Sequence, residues 1–288
     1  MGPAFDRKLE DVGNIVHLEH VNVRQPDQQL ATVFYVVGLG FTRDPYMMVG
    51  LDNMWINIGR NQIHLPTGPP QRVRGTIGVV VPDLTALKQR LTQAASDLSH
   101  TQFGFVDRES VIDVTCPWGN RIRCHAPAGN FGNTDLAIAY VEFPVPAGTA
   151  ARIADFYREI MGATANAGLR DGAVTASVST GRDQYLFFRE TAERIEPYDG
   201  HHVQIYIADF SGPYRRLAER NRITRDTDAH EWRFKDIVDV NSNEILFTLE
   251  HEVRSLKHPL CARPLVNRNP AQTNRDYIRG KDSFPGTF

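Results

Sequence analysis

The stretch of sequence that decides the fold is residues 18–41, which read LEHVNVRQPDQQLATVFYVVGLGF. It begins with the alternation of a β-strand, passes through a polar turn and continues as a helix that ends at Gly40. Residues 140–163, YVEFPVPAGTAARIADFYREIMGA, repeat this order, and Phe34 and Phe156 occupy matching places in the two copies. Such a repeat indicates a fold built from similar modules.

A second pair of repeats lies inside the two halves of the chain. Residues 76–84 and 202–210 read TIGVVVPDL and HVQIYIADF, and each strand pattern leads into a helical pattern. Each half then ends in two β-rich runs joined by turn residues, at 111–125 and 237–249. The sequence therefore predicts four strand–helix–strands units, at about 15–68, 74–127, 136–192 and 200–252.

These units predict two domains, 15–127 and 136–252, each made of two consecutive units. Residues 128–135 are rich in glycine and asparagine and are predicted to be the linker between them. Residues 1–14 form an N-terminal extension, and residues 253–288 form a polar C-terminal tail. A few apolar residues in the tail favour partial docking on the surface.

Composition excludes several classes of protein. The chain has 288 residues, 41% of them hydrophobic and 23% charged, and a formal net charge of −2. No basic cluster indicates nucleic-acid binding, and no apolar run has the length of a membrane span. Three cysteines without metal-type spacing favour reduced thiols, and we expect a cytoplasmic protein.

The ordered series of motifs resembles the vicinal-oxygen-chelate superfamily, the group of glyoxalases, bleomycin-resistance proteins and extradiol dioxygenases. The resemblance implies an α+β fold in which four βαβββ modules pair into two domains, each with its sheets curled into an open cup. In metal-dependent members the cup holds one divalent ion, with ligands from the first and last strands of its modules. A metal there serves as a Lewis acid toward a substrate oxygen.

Carrying these ligand positions onto the first half gives His20 and His64 as metal ligands. The other two positions fall on Thr76 and Arg123, and a guanidinium cannot bind a cation. In the second half, Glu142, His202 and Glu250 form a second candidate set. The metal implied is iron, zinc, nickel or manganese.

Other polar side chains are predicted to line the first cup as substrate ligands. These residues are Asn22, Gln62, Arg121, Arg123 and His125. Such a lining suits an anionic or polyhydroxylated molecule, since arginine pairs with carboxylate or phosphate. Glu142 is the candidate general base and Arg123 a candidate catalytic cation. Residues 249–254, LEHEVR, are interpreted as the solvated end of a strand.

Two functions remain open from the sequence. One is a metal-dependent enzyme acting on a small oxygenated molecule, either a glyoxalase-like lyase or isomerase or a dioxygenase. The other is a metal-free protein that binds or sequesters a small molecule, as bleomycin-resistance proteins do. The resemblance also implies a homodimer, and neither function requires nucleic acid or membrane.

Overall fold

The computed structural model describes residues 6–45 and 52–268, and it shows four modules of one strand, one helix and three further strands. The first contains β1 (Ile15–Asn22), β2 (Thr42–Arg43), β3 (Asn53–Ile58) and β4 (Asn61–Pro66). The second contains β5 (Thr76–Val80), β6 (Gly104–Asp107), β7 (Val111–Thr115) and β8 (Arg121–His125). The third contains β9 (Ala137–Pro146), β10 (Ala165–Arg170), β11 (Ala173–Ser179) and β12 (Tyr185–Thr191). The fourth contains β13 (His202–Ile207), β14 (Ile223–Asp228), β15 (Glu231–Val238) and β16 (Ile245–Ser255). The α+β fold of four βαβββ modules is thus confirmed.

Each module has one principal helix between its first and second strands: α1 (Gln28–Ala31), α2 (Leu84–Leu98), α3 (Ala150–Asp155) and α4 (Ser211–Ala218). The carboxylates of Asp27 and Asp83 accept backbone N–H groups at the starts of α1 and α2, which explains the repeated Pro-Asp motif. In modules one and three the helix continues as a π-helix, over Thr32–Gly38 and Phe156–Ile160. The repeated Phe-Tyr pair lies in these π-helical segments.

Two eight-stranded sheets result, and their strand order corrects the expected pairing of modules. Sheet 1 has the order β14-β15-β16-β13-β1-β4-β3-β2, and sheet 2 has the order β10-β11-β12-β9-β5-β8-β7-β6. Module one therefore pairs with module four, and module two with module three. The first strands make these joins, because β1 is antiparallel to β13 and β5 is antiparallel to β9.

The predicted division into domains of consecutive modules disagrees with this topology. The predicted linker, residues 128–135, joins β8 to β9 inside sheet 2, whereas the chain changes sheets between β4 and β5 and again between β12 and β13. The motifs define each module but carry no signal for which first strand pairs with which. The residue boundaries of the modules stay a prediction.

One main hydrophobic core joins the two sheets. It includes Leu18 and Ile205 of sheet 1 together with Val141 and Leu186 of sheet 2. The π-helix of module one packs on α2 of module two, so the helices of neighbouring modules are part of this core. A smaller cluster around Tyr140 lies apart from it, in sheet 2. Each sheet also has a face with polar side chains, and the candidate functional residues lie on these two faces.

The chain beyond module four lies partly against sheet 1. The amide of Asn57 donates to the Val266 carbonyl at 2.8 Å, and Asn267 exchanges two hydrogen bonds with the backbone of Gly59. Of the predicted tail, 253–255 belong to β16, and residues 269–288 lie outside the described residues. Of the predicted N-terminal extension, residues 1–5 also lie outside them.

Candidate metal centre

Four buried polar side chains meet on one face of sheet 1. They are His20 on β1, His64 on β4, His202 on β13 and Glu252 on β16, each no more than 9% exposed. These strands are neighbours in the middle of the sheet, and each contributes one residue to the same cluster. Side chains on one face of a sheet must share the parity of their strand positions, which the four strands satisfy.

A bulge in β1 brings a second carboxylate to this face. The pairing of β1 with β13 shifts register between Leu18 and His20, and Glu19 and His20 then make direct contact although they are neighbours in sequence. Glu19 Oε2 lies 2.5 Å from His20 Nδ1. Burial opposes ionisation of Glu19, but the hydrogen bond from His20 and the charge of Arg254 lower its pKa below the usual value. An ionised carboxylate only accepts, so His20 Nδ1 carries the proton of this hydrogen bond.

His64 supports His20 from the side of β4. The two imidazole rings stack with centroids 3.7 Å apart, and Trp55 stacks on the other face of His64 at 3.9 Å. His64 Nε2 lies 2.9 Å from Gln62 Oε1, while Gln62 Nε2 donates to Asn57 and Asp44. Burial lowers the pKa of His64 well below 6.5, so its ring is neutral. The stack fixes the plane of the His20 ring.

Glu252 is held by two arginines and faces His202. Arg254 Nη2 lies 2.5 Å from Oε1, Arg233 donates to Oε2, and His202 Nε2 lies 3.3 Å from Oε2. Burial alone would raise the pKa of Glu252, but the hydrogen bond with His202 and the charges of His20 and Arg254 place it well below its usual range. Glu252 is therefore ionised at neutral pH.

Charge balance on this face favours a divalent cation. Arg233 and Arg254 pair with Glu252, and the same two arginines also contact Glu231 and Glu250. Glu19 is a fourth carboxylate, close to the Arg254 guanidinium group, so the region is rich in acidic side chains. Buried charge is costly unless it is compensated, and a bound divalent ion compensates it.

The donor set itself fits a metal. The ligand atoms of His20, His202 and Glu252 lie within 4.8 Å of one another. His20 Nε2 is buried and has no hydrogen-bond partner among the residues that the structure describes. Burial lowers the pKa of His202 despite the nearby carboxylate, so its imidazole is neutral and able to ligate. Within the same described ranges, the other candidate cluster is Glu19, His20 and His64, which shares His20.

The structure regroups the ligands predicted from sequence. His20, His64 and His202 come together, although His202 was assigned to a different cup. Glu142 lies on β9 in sheet 2, where its carboxylate is 2.5 Å from Arg170 Nη1, so the expected set of Glu142, His202 and Glu250 is not assembled. This correction follows from the pairing of module one with module four.

The predicted ligand Glu250 is also replaced, because Glu252 lies beside His202 in its place. It is the register partner of His202, yet its carboxylate accepts from Arg233 at 2.8 Å, and Glu252 reaches His202 instead. The predicted solvated strand end at 249–254 is wrong, because β16 runs to Ser255 and Glu252 is 3% exposed.

The predicted substrate ligands divide between the two sheets. Asn22 and Gln62 lie beside the metal ligands, and Asn22 is the register partner of both His202 and His64. The other three lie on β8 in sheet 2: Arg121, Arg123 and His125. They belong to a different face from the one expected, again because modules one and two do not share a sheet.

Ion pairs occupy the face of sheet 2. Arg123 pairs with Asp113 at 2.6 Å, and His125 Nε2 lies 3.0 Å from the Tyr140 hydroxyl. The guanidinium of Arg170, which pairs with Glu142, lies over the Phe187 ring at 3.9 Å. The predicted catalytic roles of Glu142 and Arg123 stay predictions, and both side chains are committed to these pairs.

Sequence reasoning missed several residues of this site. Gln204 is fully buried between His20 and Glu252 in the sheet, and neither atom of its amide has a partner among the described residues. The alternation of 202–207, HVQIYI, places Gln204 on the same face as His202, and this signal was available from the sequence. Glu19 was not predictable by alternation, since the bulge breaks the parity.

The fold, four modules in two eight-stranded sheets, is similar to the folds of solved structures of a candidate dioxygenase and of a glyoxalase. A candidate dioxygenase from Bacillus subtilis subsp. subtilis str. 168 matches 89% of this chain and 92% of its own, with a TM-score of 0.55 and 14% sequence identity. Glyoxalase I from Zea mays matches 83% of this chain and 92% of its own, with a TM-score of 0.59 and 13% identity. At these identities the likeness concerns the fold.

No protein-family model and no curated protein matches the sequence. Every helix within residues 6–45 and 52–268 is too short or too polar to span a bilayer.

Proposed function

We propose that this protein is a metal-dependent enzyme acting on a small oxygenated molecule, with a divalent ion held by His20, His202 and Glu252. The observation that carries the proposal is the convergence of two imidazoles and one ionised carboxylate on a buried face. Two histidines and one carboxylate leave coordination positions open and are typical of non-haem Fe(II) oxygenases. Of the chemistries that this fold supports, the ligand set therefore favours oxygenase over glyoxalase activity.

A metal bound there supplies Lewis-acid activation of a substrate oxygen, and with iron also redox chemistry. The protein's own groups do the rest. Glu19 fixes the tautomer of His20, and the stacked His64 fixes its plane, as carboxylate partners and outer-shell contacts do at other metal sites. Arg233 and Arg254 hold the Glu252 carboxylate in place before any ligand arrives. The buried amide of Gln204 offers its NH₂ group as a donor and its carbonyl oxygen as an acceptor to substrate groups beside the metal.

One observation favours the alternative, a metal-free binding protein. Both oxygens of Glu252 already contact guanidinium groups, so the carboxylate is compensated without a cation. In that case the cup would enclose a small molecule through its polar lining alone.

Metal analysis separates the two functions. We expect about one equivalent of divalent metal per chain after loading with Fe²⁺ or Mn²⁺ and desalting, as for a site with three protein ligands. His202→Ala and Glu252→Gln should lose it, whereas Glu142→Gln, which alters a carboxylate of sheet 2, should retain it. The melting temperature should rise with metal in wild type and in Glu142→Gln only, because a ligand that binds the native state stabilises it. Wild-type protein that retains no metal would favour the metal-free function.

A further inference from the structure

The described part of the chain contains a cavity of about 900 Å³ next to the group of His20, His64, His202 and Glu252, here called the metal cluster. Glu19, which bonds His20, and Tyr206 of β13 line this cavity, and residues 260–267 beyond module four form a further part of its wall. This volume lies in the range of pockets that enclose a small organic molecule.

The wall formed by residues 260–267 is a fixed part of the protein. Asn267 bonds both the N–H and the carbonyl of Gly59 in the turn between β3 and β4, at 2.8 and 2.9 Å, and the Val266 carbonyl accepts from Asn57. The segment is thereby tied to sheet 1 close to the histidine stack. Its side chains are positioned to contact whatever occupies the cavity.

Arg263 in this wall has an unused donor. Its Nη2 donates to Asp44 Oδ2 at 2.7 Å, but Nη1 is buried and has no hydrogen-bond partner within the described ranges. A buried guanidinium nitrogen without an acceptor is costly, whereas an incoming carboxylate would satisfy it. Asp44 also accepts a hydrogen bond from Gln62, which bonds His64. Three successive contacts therefore connect the Arg263 guanidinium to the metal cluster.

The other residues that line the cavity indicate which chemical groups the rest of the ligand should have. Leu136, Leu260 and Leu265 present apolar surface to the cavity, and Arg60 and Arg182 add positive charge. The Glu19 carboxyl group is bound to His20 Nδ1 at 2.5 Å, so a negative group on the ligand must lie away from this acidic side chain. A ligand with an apolar body and one anionic end meets these requirements.

We propose that this cavity binds an organic acid with an apolar body, whose carboxylate pairs with Arg263. Calling this ligand the substrate rests on the proposed function, since only then does the adjoining cluster act on it. The binding itself does not need metal.

The test uses a matched pair of probes, 4-phenylbutyrate and its neutral analogue 4-phenylbutanamide, titrated by calorimetry into full-length protein treated with chelator. We expect the carboxylate to bind at least about tenfold more tightly than the amide, as for a charge-assisted hydrogen bond. The double variant Asp44→Asn/Arg263→Gln removes both charges together and should abolish this preference. Asp44→Asn alone keeps the guanidinium and should retain it.

A second pair of variants guards against misfolding of the double variant. Leu265→Glu places a negative charge in the cavity wall and should abolish binding of 4-phenylbutyrate, whereas Leu265→Gln should keep most of it. Equal affinity for the two probes in wild type, no saturation below about 10 mM, or a preference that survives in both Leu265→Glu and the double variant would overturn the proposal. If the protein binds no metal but prefers the carboxylate, the anion site stands and the enzymatic function fails; the opposite result rejects the anion site alone.

Discussion

At the scale of single residues, buried polar side chains in this protein differ in whether they have partners. Gln62 and His64 satisfy each other, and Gln62 also bonds Asn57 and Asp44. By contrast, Gln204 and the Nε2 atom of His20 are buried without partners among the described residues. Buried polar groups are normally paired, so a ligand bound at this cluster would supply the partners that these two groups lack.

His125 provides a pH test at this scale. Its ring is half-buried in sheet 2, and burial together with the charge of Arg123 lowers its pKa below 6.5. Because the unfolded chain takes up this proton first, the stabilising contribution is present above pH 6.5 and is lost as the pH falls through the folded pKa. We expect the free energy of unfolding of wild type to fall more steeply between pH 7 and pH 5 than that of His125→Gln. Urea titrations at each pH measure the free energy of unfolding of both proteins, and parallel pH profiles would contradict this prediction.

At the scale of elements, the turn between β3 and β4 is one place where sheet 1 contacts the chain of sheet 2. Gly59 has φ of +61°, and a Cβ added to it would lie 1.7 Å from the carbonyl oxygen of Leu136, just before β9. Gly172 lies between β10 and β11 with φ of +78° and has nothing within 4 Å of such a Cβ. The two positions share the same conformational requirement and differ in space.

This comparison gives a prediction for the turn. Gly59→Ala should lower the free energy of unfolding by at least about 2 kcal/mol more than Gly172→Ala, since overpacking against backbone cannot relax through a rotamer change. Chemical denaturation of the two variants beside wild type checks it. An equal loss of unfolding free energy in the two variants would mean that the positive φ causes most of it, and that the Leu136 backbone moves aside at little cost.

Much of the element scale was predictable from the sequence. Alternation, the Pro-Asp caps and the repeated Phe-Tyr pair give four modules, and the structure confirms them. The pairing of modules was not predictable, because β5 and β13 have the same alternation and either could have joined β1. Consequently His20 and His64 were assigned to one cup and His202 to the other, although all three lie in sheet 1. Glu252 was missed because a run of mixed charges at a strand end usually lies in solvent.

At the scale of the whole molecule, the two sheets share one main core. Leu18 and Val141, from different sheets, belong to the same buried cluster, and the helices of modules one and two pack together. We therefore expect one cooperative unfolding transition rather than two. Far-UV circular dichroism and tryptophan fluorescence should give coincident curves in urea. Two separated midpoints would show that the sheets unfold independently.

The join between the first and last modules also has a consequence for how the protein is made. Asn14, just before β1, bonds the backbone of Asp209, which lies 195 positions later, and β1 finds no partner in β13 until module four has been synthesised. During translation, the edge of β1 that pairs with β13 therefore stays exposed, and chaperones bind exposed edges of this kind. Contacts so distant in sequence also slow folding. Metal capture would then be among the last events in the maturation of the nascent polypeptide.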